Sequence, residues 1–126
     1  MKKILITGGA GFIGYHLTKE LSKDNYQIDI LDNFSRGIND KRLSSLLKSD
    51  NINLIDADLS QQNIIEHLNQ DYAFVYHLAA VIGVQHVLKA PYSVLNKNFI
   101  LLENALQVAM SQKNLDRFVF TSTSEV

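Results

Sequence analysis

Short runs of consecutive apolar residues alternate along this chain with longer segments whose apolar positions recur every three or four residues. The short runs have the length and β-branched content of strands buried on both faces; the longer ones have the period of helices with one apolar side. This pattern predicts strands over 3–7, 27–31, 52–55, 73–78 and 117–121, and helices over 12–23, 40–47, 61–68 and 91–111. The last helix opens on Pro91, the only proline of the chain, at a position where a missing N–H costs nothing. Strict alternation of the two element types gives an α/β fold, a Rossmann-type parallel sheet with helices on both faces. Right-handed crossovers then fix the strand order as 3-2-1-4-5, with the sheet ending after strand 5.

Composition narrows the partners. The 126 residues are 46% hydrophobic and 20% charged, suited to one domain with its own core. Twelve basic against thirteen acidic residues leave a net charge of -1, which gives no electrostatic reason to expect nucleic acid or an anionic membrane. The chain has no cysteine, so thiolate chemistry, disulfides and cysteine metal sites are excluded. No apolar run approaches the roughly 18 residues of a membrane span, and a cytoplasmic location is expected. His16, His67 and His86 share no spacing with carboxylates that would suggest a metal site.

The candidate chemistry begins directly behind the first strand, at Thr7-Gly8-Gly9-Ala10-Gly11-Phe12-Ile13-Gly14. Glycines at 8, 11 and 14 allow a tight strand-to-helix turn, a close approach of backbone to a pyrophosphate, and packing of the helix on its strand. The helix start offers N–H groups and a positive dipole end to an anion. Such glycines alone also punctuate ordinary turns. The second strand, however, ends in Asp32, where a carboxylate accepts the ribose hydroxyls of an adenosine and repels a 2′-phosphate, favouring NAD over NADP. Arg36 weakens that preference, because a guanidinium there binds the extra phosphate. A P-loop is excluded, since no Gly-Lys-Ser/Thr ending follows.

Five motifs in order, 7–14, Asp32-Asn33-Phe34-Ser35, Asp56-Ala57-Asp58-Leu59, His77-Leu78-Ala79-Ala80 and Thr121-Ser122-Thr123-Ser124-Glu125-Val126, resemble the extended short-chain dehydrogenases/reductases. These are the NAD-dependent nucleotide-sugar epimerases, dehydratases and decarboxylases, and the resemblance runs the length of the chain. It implies that Phe12 and Ile13 donate backbone N–H groups to pyrophosphate, that Asp32 and Asn33 hold the adenosine ribose, and that Asp58 with Leu59 meets the adenine edge. It implies also that Leu78, Ala79 and Ala80 line the nicotinamide side. All follow the carboxyl ends of strands, where open α/β sheets bind ligands. On local grounds Asp58 serves equally as a carboxylate at the start of a helix before Gln61. Positions 95, 98, 99, 102, 105, 106 and 109 share one helical face that is apolar except for Asn98. A buried amide there needs partners: backbone nearby or, as the resemblance implies, an active site beside it. His77 closes an apolar strand and reads as a satisfied core histidine.

The family's chemistry starts with oxidation of a sugar hydroxyl by NAD, using a tyrosine base with a lysine four residues on. Thr123 matches the hydroxyl residue that assists this base, and Ser124 and Glu125 match the adjacent pair that varies among subfamilies. Ser-Glu resembles decarboxylases and some epimerases more than dehydratases, whereas Ala80-Val81 lacks the Cys-Pro of many decarboxylases. Tyr15 and Lys19 have the Tyr-x-x-x-Lys spacing but sit on the first helix, too near the phosphate turn to reach a nicotinamide. Residues 1–126 are accordingly expected to be the N-terminal, NAD-binding part of such an enzyme. The tyrosine helix, later strands and substrate lobe then lie outside the chain, and the parent is a homodimer acting on a nucleotide sugar. Two other readings are a non-catalytic NAD-binding module and an incomplete fragment.

Overall fold

The computed structural model describes residues 1–35 and 37–124, so Arg36, Glu125 and Val126 lie outside the described residues. Five parallel strands form one sheet: β1 (Lys2–Thr7), β2 (Tyr26–Asp32), β3 (Ile52–Asp56), β4 (Tyr72–His77) and β5 (Arg117–Phe120). Their order, β3-β2-β1-β4-β5, is the one expected from right-handed crossovers. The helices are α1 (Phe12–Leu21), α2 (Lys41–Leu46), α3 (Val84–Lys89) and α4 (Pro91–Met110).

The uninterrupted apolar runs of the strands divide between the two faces. In β1, Ile4 and Ile6 point to one side with Ile28 and Ile30 of β2, where Leu43 of α2 and Tyr15, Leu17 and Leu21 of α1 cover them. Leu5 points to the other side with Leu31, Tyr72 and Val75, and there Leu101, Ala105 and Val108 of α4 close the core. Full burial of a side chain such as Leu101 or Val108 contributes about 1.5–3 kcal/mol.

Three expectations need correction. The helix expected over 61–68 is only a single 3-10 turn, Ile64–His67, in which N–H groups bond carbonyls three residues back. The segment cannot extend further, because Leu68 is already extended and the Asn69 amide is drawn to Asp29. Second, α3 was not foreseen: it is six residues long, has no side-chain cap, and leaves Val87 and Leu88 exposed, so no buried stripe announces it. Third, the buried face of α4 runs through Leu101, Ala105, Val108 and Ala109. Leu95, Phe99 and Leu106, on the expected face, are 57%, 61% and 42% exposed. The buried face shares Ala105 and Ala109 with the expected one but is rotated toward Leu101 and Val108, which leaves the larger apolar residues of the expected face outside.

Candidate functional site

A cleft of about 510 Å³ opens along the carboxyl ends of β1 to β4. That is within the range of small-molecule sites. Its floor is the glycine turn. Gly8 has φ +70, and a Cβ there would lie 2.9 Å from backbone atoms of Ala79, so the exit of β4 rests directly on the turn. Gly14 is packed as closely: a Cβ would come within 2.5 Å of the Gly9 Cα and 2.6 Å of the Gly8 carbonyl. Helix α1 therefore starts against the turn, with Gly11 at its N-cap and no side chain bonding its first N–H groups. Gly11, Phe12, Ile13 and Gly14 line the cleft there, and Phe12 is 80% exposed. An anion fits this end on both geometry and dipole.

Asp32 ends β2 at the middle of the cleft. One carboxylate oxygen accepts the Ala10 N–H at 3.0 Å and the other accepts the Phe34 N–H at 2.8 Å. Each oxygen keeps a lone pair for a further donor. The second bond holds Phe34 at φ +59, a left-handed conformation that a phenylalanine adopts only under such constraint. Asn33 accepts the Ser35 N–H in the same manner, and Asn33, Ser35 and Gly37 line the cleft wall.

At the far wall, Asp58 accepts both the N–H and the hydroxyl of Ser60, a local turn in place of the helix start considered from sequence. Burial pushes its carboxyl up, but the two Ser60 bonds and the charge of Lys97 outweigh this and hold it below the ordinary value. Leu59 is buried behind it, and its carbonyl accepts the Asn104 amide at 2.7 Å, which ties α4 to this wall.

The remaining wall is the β4 exit, Leu78 to Ile82. Thr7 organises it: its hydroxyl oxygen accepts the N–H groups of Leu78 and Ala79, both at 3.2 Å. The same hydroxyl pairs with His77 Nδ1 at 2.8 Å, a bond that a neutral imidazole makes in either tautomer. Burial lowers the His77 pKa to about 4, in keeping with that form, and the ring stacks beside Phe118 and Phe120. His77 is thus a satisfied buried histidine. Asn98 secures the other end of the exit, accepting the Val81 N–H at 2.7 Å and donating to the Val81 carbonyl at 3.0 Å. It bonds nearby backbone and also faces a second hollow of about 250 Å³, shared with His77, Phe120 and Thr121.

Of the hydroxyl-bearing end, Thr121 lines both hollows and donates to the His77 carbonyl, while Thr123 and Ser124 are exposed beyond β5 and Glu125 lies outside the described residues. Sequence reasoning gave no role to Gly37, Ala57, Thr121 or Lys97, all of which line the cleft, although Ala57 and Thr121 stand within its motifs. The Ala57 and Thr121 positions follow strand ends and were open to discovery on that ground; an exposed helical lysine carries no such signal.

Comparison with known proteins identifies the family. The profile of the NAD dependent epimerase/dehydratase family matches residues 4–126. A UDP-N-acetyl-alpha-D-glucosaminuronate decarboxylase of Bacillus cytotoxicus is 38% identical over 125 residues, 99% of this chain and 37% of that protein. The UDP-Glc/GlcNAc 4-epimerase of Campylobacter jejuni superposes with a TM-score of 0.86 at 28% identity, over 98% of this chain and 38% of the other. A UDP-glucuronic acid 4-epimerase of Bacillus cereus, solved with NAD and UDP-4-deoxy-4-fluoro-glucuronic acid, gives 0.82 at 34% identity, covering 98% of this chain and 41% of that one. The chain spans well under half the length of these relatives. With a glycine turn, a carboxylate at the end of β2 and a braced β4 exit in one cleft, and with a match from residue 4 to residue 126, it belongs to the NAD dependent epimerase/dehydratase family.

Proposed function

We propose that this chain is the NAD-binding part of a nucleotide-sugar epimerase or dehydratase. The observation that carries the reading is the cleft itself, in which the start of α1, Asp32 and Asp58 succeed one another in the order of a dinucleotide's pyrophosphate, ribose and adenine. The N–H groups of Phe12 and Ile13 bind the phosphates, Asp32 and Asn33 orient the ribose, and Asp58 and Leu59 meet the base. Leu78, Ala79 and Ala80 form an apolar wall for the nicotinamide, with Asn98 and Thr7 fixing its position. NAD, when bound, supplies the hydride acceptor for oxidation of a sugar hydroxyl. Thr123 bonds that hydroxyl beside the base, and Ser124 and Glu125 flank it. Tyr15 is unsuited to be the base, since it packs into the core beneath α1.

The substrate is a UDP- or dTDP-linked sugar, and the active parent is a cytoplasmic homodimer. A second reading within the family, decarboxylation, is supported by the Bacillus cytotoxicus relative and opposed by Ala80-Val81 in place of Cys-Pro. Titration calorimetry tests the cofactor assignment: NAD binds, NADP binds at least about tenfold more weakly through repulsion by Asp32, and Gly11→Val abolishes both. A folded, monodisperse chain that takes up neither dinucleotide overturns it. For catalysis, a gene product with a Tyr-x-x-x-Lys pair after Val126 should turn over a UDP sugar, whereas one without it should bind NAD and do no more.

A further inference from the structure

We propose that Lys97 supplies the cationic contact for the pyrophosphate of the bound dinucleotide, reaching it from α4 across the cleft. This rests on the NAD reading above. Among the described residues lining the cleft, the formal charges are Asp32, Asp58 and Lys97. A dinucleotide brings a doubly negative pyrophosphate into a site that already holds two carboxylates. The start of α1 answers with only about half an elementary charge. Lys97 is the remaining positive group on those walls.

The position of Lys97 follows from how α4 is held. Leu101 is buried and lines the cleft, and Asn104 donates to the Leu59 carbonyl, so the stripe through 101 and 104 faces the β3 exit. Lys97 is one turn before Leu101 on that stripe, exposed and lining the cleft from the side of α4. Its charge is felt at Asp58, yet among the described residues it forms no ion pair. Asp58 is instead engaged by Ser60. The ammonium is therefore close to the ligand's path and uncommitted before binding.

Lys97 could act instead only through Asp58, by keeping that carboxylate charged for the adenine edge. The two roles separate by ligand. Calorimetry with NAD, ADP-ribose and adenosine on the whole chain and on Lys97→Gln should show NAD and ADP-ribose weakened about five- to tenfold while adenosine is unchanged. The salt dependence of NAD binding should flatten in the same variant, and Lys97→Arg should restore most of the affinity. Circular dichroism checks that each variant is folded, which an exposed position permits. Equal NAD affinity in wild type and Lys97→Gln, or a proportionate loss of adenosine, overturns the assignment and leaves the NAD site standing. A folded wild-type chain that binds no NAD overturns both.

Discussion

Two aspartates three residues apart on β2 have opposite fates, and they mark the closed and open regions of this sheet. Asp29 is 4% exposed in mid-strand and accepts three neutral donors: the Tyr72 hydroxyl at 2.5 Å, the Asn69 amide at 3.1 Å and the Asn53 amide at 3.3 Å. Burial and the neighbouring carboxylate push the Tyr72 hydroxyl pKa far up, so it remains a proton donor at any ordinary pH. Every donor around Asp29 comes from the protein, and the carboxylate fastens the β3–β4 crossover to the sheet. Asp32, held among the described residues by two backbone N–H groups, keeps acceptor capacity facing the cleft. The same side chain is structural where the protein completes its shell and a recognition group where part of the shell is left open.

Gly14→Ala should give the largest effect. It attacks the open region through its backbone, because the new methyl meets only main-chain atoms; a loss of about 3 kcal/mol is expected together with loss of NAD binding. Asp29→Ala attacks the closed region. It strands the buried Tyr72 hydroxyl, while the exposed Asn53 and Asn69 amides turn to water, and urea denaturation should show a loss of about 2–3 kcal/mol with NAD affinity of the folded fraction unchanged. Acid should reach both regions through His77. Its folded pKa of about 4 is below the ordinary 6.5, so the unfolded chain binds the proton more readily. The His77 contribution is thus complete above pH 6.5 and lost as pH falls toward 4, about 2–3 kcal/mol in all. His77→Gln should flatten the stability profile in that window, measured by thermal melts across pH. The mildest effect on folding comes from Asp32→Asn, about 1 kcal/mol, since one backbone N–H keeps its acceptor. NAD affinity should nonetheless fall about tenfold, and an Asp32→Asn chain that binds NAD unchanged would erase the distinction between the two aspartates.

The sheet was legible because each of its strands is a run of apolar residues bounded by turns, and its order followed from handedness. The glycine turn and Asp32 were legible because their roles depend on local spacing. Asp29 was not: a carboxylate inside an apolar run announces only an exception, and its partners Asn53, Asn69 and Tyr72 are brought to it by the fold. Lys97 was missed for a related reason, as its place depends on which stripe of α4 the sheet selects. Asn98 shows how two readings can meet, since its bonds to the Val81 backbone are what shape the wall beside the second hollow.

Thr7 and His77 are joined across seventy positions of chain, and β1 lies between β2 and β4 with all its pairing parallel. Contacts of such long range form slowly, since a large loop must close before any bond rewards it. In synthesis the glycine turn is thus made seventy positions before the strand end that braces it. Until His77 has been added, one edge of β1 lacks its partner strand, and the nascent chain must be kept from pairing that edge with a neighbour.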